Sequence, residues 1–168
     1  MRTLDPTGGV IFEVGNQHVL LSAKALSSAS LTFTAMFKRQ NLEGQNLSSK
    51  NPPVIALPED RYQSFELLLS MVQHQRIELS EAADLLDVCL LAERGRCIDA
   101  VKSQMLFFMY EMAEQDYEYD DPRPLERYGH LFIAAYILRD HRMMKVQTRR
   151  MALYATPGAS YLRLDVSK

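Results

Sequence analysis

The sequence predicts an α+β fold in which a small, mainly three-stranded sheet is flanked by a cluster of α-helices. Two short runs rich in β-branched and aromatic residues stand near the start of the chain, separated by only a few polar residues. A third apolar run, "VIALP" (54–58), ends in proline. Most of the remaining chain repeats apolar residues at steps of three and four, which is typical of amphipathic helices.

Length and composition indicate a single globular domain. Of the 168 residues, 47% are hydrophobic and 24% are charged, so the chain can form a core of normal size. The net charge of −2 argues against nucleic acid as the leading partner, because duplex-binding proteins usually carry a basic excess. No signal peptide or membrane span is evident, and we expect a cytoplasmic or nuclear protein without membrane contact.

The first two strands are expected to form a hairpin. "VIFEV" (10–14) and "HVLLS" (18–22) have strand composition, and the turn dipeptide Gly15-Asn16 lies between them. Gly8-Gly9 marks another turn just before the first strand.

A pair of short helices should follow this hairpin. Phe33, Met36 and Phe37 share one helical face by the i, i+3, i+4 rule. Three serines divide the segment into two helices, and such small residues allow the helices to approach closely; they are Ser27, Ser28 and Ser30.

The polar composition of residues 39–53 predicts a surface loop before the third strand. Asp60 suits the N-cap of the next helix. The apolar side chains of that helix recur at i, i+3, i+4 and i+7, and they are Phe65, Leu68, Leu69 and Val72. Residues 74–79 form a connector with room for a brief edge strand.

Ser80 is the expected N-cap of a broadly apolar helix that ends near Gly95. Cys89 and Cys97 lie eight positions apart, which matches neither a paired-cysteine metal motif nor a disulfide framework. We therefore expect two reduced core cysteines, as in cytosolic or nuclear proteins. A longer helix begins at Cys97.

Two more helices are expected near the C-terminus, from about 125 to 139 and from about 141 to 154, with Pro124 in the first turn of the former. The predicted organisation has five parts. They are a tail (1–8), a core (9–113), an acidic loop (114–124), a C-terminal helical extension (125–155) and a second tail (156–168).

Sequence motifs for catalysis are missing from this chain. It contains no GxSxG, HExxH, P-loop or paired-cysteine motif, so we expect no enzymatic activity, no cofactor and no small-molecule substrate. His130, Asp140 and His141 lie close enough in sequence to suggest a metal site, but zinc needs three or four converging ligands, so we expect no metal and interpret the histidines as surface or half-buried residues.

A basic stretch near the C-terminus has two interpretations. It comprises Arg123, Arg127, Arg139, Arg142, Lys145, Arg149 and Arg150. These cations are either the solvated side of an amphipathic helix, neutralised by the acidic loop, or a phosphate-binding face. The second interpretation would make the protein a nucleic-acid-associated transcription regulator.

The order of the elements resembles a BTB/POZ domain of the divergent fungal type. The segment "VLLSAKALSSASLTFTAMF" (19–37) is similar to the strand–helix–helix phrase of that family, and "VIALPEDRYQSFELLLSMVQHQ" (54–75) to its next strand and helix. "LLDVCLLAERGRC" (85–97) and "LFIAAYILRDHRMMKVQTRRMALYA" (131–155) resemble later helices. Gly9 and Ala23 stand where many members carry charged residues, which argues against corepressor binding.

The resemblance implies a non-catalytic protein–protein interaction module that self-associates or recruits a partner protein. One version is an adaptor for a cullin-3 ubiquitin ligase, and another is a homo-oligomerisation module. Candidate partner contacts are Met36, Phe37, Tyr62, Met71 and Tyr110. Each of these side chains suits the core better than an interface, because apolar residues at helical spacing usually face inward.

Overall fold

The computed structural model describes residues 2–6, 8–38, 47, 50–57, 61–114 and 124–155. In these ranges the protein is an α+β fold of four strands and seven helices. The strands are β1 (Arg2–Thr3), β2 (Val10–Val14), β3 (Gln17–Leu21) and β4 (Val54–Ala56). The helices are α1 (Ala23–Ala29), α2 (Leu31–Met36), α3 (Tyr62–Val72), α4 (Ala82–Arg94), α5 (Ile98–Glu114), α6 (Pro124–Ile137) and α7 (His141–Ala155).

The small sheet is mixed, with the strand order β1-β3-β2-β4. The predicted hairpin is confirmed, since β2 and β3 pair antiparallel with Phe12 opposite Val19. Gly15 lies in the connecting turn at a φ of 58°, a left-handed conformation that glycine adopts without steric cost. The third predicted strand, β4, pairs parallel to β2 at the edge of the sheet.

The N-terminal segment differs from the predicted tail, because it adds a fourth strand. β1 pairs parallel to β3. Arg2 forms an ion pair with Glu66 of α3, and the Nε2 of Gln75 donates a hydrogen bond of 3.2 Å to the carbonyl of Leu4. These contacts join the start of the chain to the middle of α3 and to the residues just after its end.

An aromatic cluster joins the sheet to the helices. Phe12 is fully buried, and its ring centroid lies 5.5 Å from that of Phe33, 5.5 Å from that of Phe65 and 6.4 Å from that of Phe37. Phe33 and Phe37 stack on each other at 5.9 Å. Four side chains from β2, the α2 region and α3 therefore share one apolar centre, with ring separations in the favourable range.

Ser30 divides the predicted helical pair into α1 and α2. It follows the last residue of α1 and is the N-cap of α2, where its Oγ accepts a 3.1 Å hydrogen bond from the N–H of Phe33. The same hydroxyl donates a 2.5 Å bond to the carbonyl of Gly95. The buried hydroxyl thus caps one helix and ties it to the end of α4.

Helix ends differ in detail from the sequence-based expectations. Glu81, not Ser80, is the N-cap residue of α4, and it makes no side-chain cap bond. Gly95 ends α4 as expected, but the left-handed conformation falls on Arg96, whose φ is 50°. The same conformation follows α3 at His74 and α6 at Arg139. In each case the next N–H bonds to a carbonyl five residues back, which satisfies a helix-terminal acceptor.

The two C-terminal helices form a hairpin. α6 packs against both α4 and α7, and its start at Pro124 agrees with the sequence-based expectation. The residues described from 61 to 114 include no strand, so the connector 74–79 holds no edge strand. No helix of the described residues is long and apolar enough to cross a membrane.

Several predicted features fall outside the described residues. They are the Asp60 cap, most of the loop 39–53, the acidic loop apart from its two ends, and the tail 156–168.

The double role of Ser30 predicts that its hydroxyl is important for stability. We expect Ser30→Ala to lower the free energy of unfolding by about 1–3 kcal/mol, because it removes an N-cap and leaves the Gly95 carbonyl without its partner. Urea denaturation followed by circular dichroism measures the change.

Ser28→Ala is the matched control. The hydroxyl of Ser28 is exposed and bonds only to the carbonyl of Lys24 in its own helix, so we expect a change within about 0.5 kcal/mol. Equal losses in the two variants would contradict the role assigned to Ser30.

Candidate interaction surface

Two of the five predicted contact residues lie in the core. Met71 has no exposed surface, and Phe37 is buried in the aromatic cluster around Phe12. In this conformation neither side chain can reach a partner. Their helical spacing correctly indicated an apolar face, and that face is turned inward against the sheet and neighbouring helices.

The other three predicted contacts are half-buried and pack against the core. They are Met36, Tyr62 and Tyr110. The hydroxyl of Tyr110 donates a 3.0 Å hydrogen bond to Oδ2 of Asp140, and Oδ1 of that carboxylate accepts a 2.8 Å bond from the N–H of Met143. Burial, followed by the bond to Asp140, raises the pKa of Tyr110. Tyr110 thus holds the residue that caps α7, so part of its surface is committed to the fold.

The most exposed large apolar side chains are concentrated on helix α6 and not at the five predicted contacts. Among the described residues the large apolar side chains with high exposure are Leu31, Val54, Leu90, Phe107, Leu125, Ile133, Tyr136 and Tyr154. Three of these belong to α6, which is more than any other helix contributes.

The exposed apolar residues of α6 form one stripe. Leu125, Ile133 and Tyr136 are 45%, 43% and 66% exposed, and steps of eight and three residues place them on the same side of the helix. Gly129 lies between Leu125 and Ile133, with open space where a Cβ would stand. We call these four residues the α6 stripe.

The opposite side of α6 is firmly packed. It buries Tyr128, Leu131, Ala134 and Ala135. The inward face accounts for the stability of the helix, and the α6 stripe is additional apolar surface. The sequence contains this signal, because apolar residues on both sides of a helix exceed what one buried face requires.

The neighbouring helix α7 carries charge instead. Arg142, Lys145 and Arg149 are exposed, and their spacing of three and four residues aligns them along one side of the helix. We call them the α7 stripe. Arg150 lies beside it, with its guanidinium 5.6 Å from the centroid of the Tyr128 ring. Residues 141–155 contain no acidic side chain.

The seam between α6 and α7 contains an unusual polar residue. Gln147 is fully buried, and its Nε2 lies 3.1 Å from the Sδ of Met143. Its Oε1 has no hydrogen-bond partner among the described residues. A buried amide oxygen without a donor destabilises a fold, so this seam is not optimised for stability.

A surface cleft lies elsewhere, between the connector after α3 and helix α5. Its volume is about 360 Å³, and its lining includes Gln75, Ile77, Gln104, Phe107 and Phe108. Arg76 is the one ionisable side chain among its lining residues. The cleft therefore offers apolar contact and amides, without the paired acid and base that general acid–base catalysis requires.

The two cysteines are buried and unpaired, which confirms the expectation of reduced core cysteines. Burial raises the pKa of Cys89 to about 12, with a smaller contribution from Glu93, and burial raises the pKa of Cys97 to about 11. Both thiols are protonated at neutral pH. Nucleophilic cysteines require the opposite shift.

The described residues contain no group of three or more His, Cys, Asp or Glu side chains that could hold a metal ion. His130, Asp140 and His141, all within the described residues, thus form no such group. A scan against protein-family models and a search of curated proteins both give no match to this chain. The surface of the molecule itself is therefore the basis for a functional hypothesis.

The orphaned amide of Gln147 suggests a stabilising substitution. We expect Gln147→Met to raise the free energy of unfolding by about 1–2 kcal/mol, because it removes an unsatisfied polar atom at similar side-chain volume. Gln104→Met is the control, since the Nε2 of Gln104 donates to the carbonyl of Met71 at 3.2 Å and its loss should not stabilise the fold. Thermal denaturation of both variants decides the matter, and a gain for both or for neither would contradict this account.

The raised thiol pKa values predict that stability falls in alkaline solution. An unfolded thiol, with a pKa of 9.0, loses its proton around pH 9, whereas the folded protein releases the Cys97 proton only around pH 11 and the Cys89 proton around pH 12. The unfolded state then binds fewer protons, so the free energy of unfolding decreases as pH rises above 9. We expect a shallower decrease between pH 8.5 and 10.5 in a Cys89→Ala, Cys97→Ala variant, measured by urea denaturation. Parallel pH profiles for the variant and the wild type would contradict the role assigned to the two thiols.

Proposed function

We propose that this chain is a non-catalytic protein–protein interaction module of the BTB/POZ type, which self-associates or recruits a partner protein. The single observation that carries the proposal is the α6 stripe. It is an ordered row of apolar side chains that faces solvent on a helix whose other side is already packed. Clustered exposed apolar residues on a folded protein mark interaction sites more often than scattered ones do.

The dimensions of the α6 stripe suit a helix or strand of another protein. Leu125 and Tyr136 are eleven residues apart, so the stripe is roughly 16 Å long at the α-helical rise. Full burial of side chains such as leucine and isoleucine contributes about 1.5–3 kcal/mol each. Leu125 and Ile133 are two side chains of this kind and can form the apolar centre of an interface, and Tyr136 adds an aromatic group of the type enriched at binding hot spots.

The architecture supports the BTB/POZ part of the proposal. A strand hairpin, a short helical pair, a further strand and then amphipathic helices follow one another in the order that the resemblance implies. Phe33 and Phe37, which fall on fixed positions of the family phrase, pack together around Phe12. The helical pair therefore has a structural role, and the interaction surface lies on other elements.

Self-association is tested by the mass of the protein in solution. We expect multi-angle light scattering of the wild-type chain to give a mass near twice 19.2 kDa, and an Ile133→Ser, Tyr136→Ser variant to give a mass near 19.2 kDa. Recruitment of another protein is tested by affinity purification from the native cell with quantitative mass spectrometry. In that case the same variant should lose the specific partner.

The matched control replaces two apolar residues of comparable exposure on other helices, as Leu31→Ser, Leu90→Ser. We expect it to behave like the wild type in both measurements. Circular dichroism establishes that all variants are folded. The proposal fails if the α6 variant keeps the mass and every co-purifying protein of the wild type.

A further inference from the structure

We propose that two copies of this chain self-associate by exchanging α7, so that the α7 of each copy packs on the α6 of its partner. In the exchanged form the turn between the two helices straightens and joins them into one continuous helix. The inference rests on the self-association part of the proposed function and states how the two copies are joined.

The connection between α6 and α7 is short and strained. It consists of residues 138–140, and none of the three is glycine or proline. Arg139 has a φ of 55°, in the left-handed region that residues with a Cβ rarely adopt. The backbone on either side already makes helical hydrogen bonds, from the N–H of Leu138 to the carbonyl of Ala134 at 2.9 Å and from the N–H of Met144 to the carbonyl of Asp140 at 3.1 Å. Conversion of the hairpin into a continuous helix is therefore concentrated at Arg139.

α7 is attached to the molecule by a shallow contact. Of its fifteen residues only Met143 and Gln147 are buried, whereas α3, α4, α5 and α6 each bury at least five. It packs chiefly on α6, and the amide oxygen of Gln147 has no hydrogen-bond partner among the described residues. Release of α7 therefore costs much less free energy than unfolding of the domain, as is usual for local opening of peripheral elements.

Two other helix ends have the same left-handed conformation but do not suit an exchange. After His74 and Arg96 the chain continues into α4 and α5, and each of these helices buries five side chains in the common core. Their release would expose the centre of the domain to water. Among the described residues, α7 alone combines a strained three-residue hinge with a shallow attachment.

A second copy is the partner that fits this site, because it supplies the same contacts between chains that α7 makes within one chain. These include the ring pair of Tyr128 and Tyr154, whose centroids are 5.4 Å apart, and the 5.6 Å contact of Arg150 with the Tyr128 ring. No new complementary surface is required. Exchange of an identical element is a low-cost route to a dimer, and a short hinge under strain favours it.

The exchanged dimer also brings the two α6 stripes together at one end. In the continuous helix the hinge from Ile137 to His141 is about 6 Å long at the α-helical rise, so the ends of the two α6 helices lie side by side. Tyr136 stands at this end of the α6 stripe and is 66% exposed in the single chain. Its ring gains a neighbour in the dimer, so the α6 stripe and the exchange act in the same assembly.

Asp140 opposes the exchange. Its Oδ1 accepts the 2.8 Å hydrogen bond that caps α7, and its Oδ2 accepts the 3.0 Å bond from Tyr110. A continuous helix has no use for a cap at this position, so the closed turn keeps a contribution that the exchanged form loses. The exchange is therefore a concentration-dependent equilibrium between monomer and dimer.

The first test compares two substitutions of the hinge residue that remove the same charge. Glycine adopts the left-handed conformation without steric cost and destabilises a helix interior, so Arg139→Gly favours the closed hairpin in both respects. Alanine keeps the strain of the turn and is a strong helix former. We expect Arg139→Gly to raise the dimer dissociation constant by about tenfold or more and Arg139→Ala to leave it within about threefold of the wild type. Light scattering over a concentration series measures both, and equal effects of the two variants would overturn the inference.

The second test detects the exchange directly. Tyr128→Cys and Tyr154→Cys chains are mixed in equal amounts, unfolded in urea, refolded together and treated with a short bismaleimide. We expect a covalent product near twice 19.2 kDa on a denaturing gel, because only exchange places residue 154 of one chain beside residue 128 of another. The control pair is Tyr128→Cys with Leu31→Cys, whose second site is 68% exposed on α2. A yield no higher than that of the control pair would contradict the exchange.

Three outcomes separate the exchange from the proposed function. If Ile133→Ser, Tyr136→Ser gives a monomer while Arg139→Gly dimerises as tightly as the wild type, the α6 stripe stands as the interface and the exchange is wrong. If the wild type is monomeric at every concentration, the exchange is wrong and recruitment of another protein by the α6 stripe is still open to its own test. If the two single-cysteine chains crosslink while Ile133→Ser, Tyr136→Ser keeps full dimer affinity, the exchange stands and the α6 stripe is not part of the dimer interface.

Discussion

Burial of Phe12 is the constraint on which the rest of this structure depends. The residue lies at the centre of β2, and its ring contacts Phe33 and Phe37 from the helical pair and Phe65 from α3. These partners are 21 to 53 positions away in sequence, so one side chain fixes the positions of two distant elements, the α2 region and α3, relative to β2. The edge-on contact with Phe65 and the stacked contact between Phe33 and Phe37 also limit how the rings can rotate.

The hydrogen bonds of Ser30 connect this aromatic centre to the C-terminal helices through α4. Ser30 caps α2 and binds the end of α4 through Gly95, so the helical pair around Phe12 determines where α4 ends. Helix α4 in turn buries Leu85, Val88 and Ala92 in the common core and is one of the helices on which α6 packs. The direction in which the α6 stripe faces is thus a consequence of packing that begins at the sheet.

Much of this arrangement could be predicted from the sequence, because the signals are local. One or two residues are enough to predict each of three features: the hairpin turn at Gly15, the boundary between α1 and α2 at Ser30, and the start of α6 at Pro124. β1 could not be predicted, since two residues show no periodicity and pair through their backbones with a distant strand. For Met71, spacing indicated a helical face, but only the tertiary packing shows that this face is wholly buried. The α6 stripe was missed for the same reason, because apolar residues on both faces leave open which side is packed.

The C-terminal hairpin shows how recognition can be separated from folding. α6 is held by its inward face, and α7 is positioned by the Asp140 cap, the bond from Tyr110 and the contact of Arg150 with Tyr128. None of these contacts uses Ile133, Tyr136, Lys145 or Arg149. The outward residues are consequently free to vary in chemistry without loss of the hairpin, yet three large exposed side chains of α6 are apolar and three exposed side chains of α7 are cationic. A surface selected for solubility alone would mix opposite charges on both helices. The apolar outward face of α6 is therefore surface that folding does not require, and this supports the proposed interaction site.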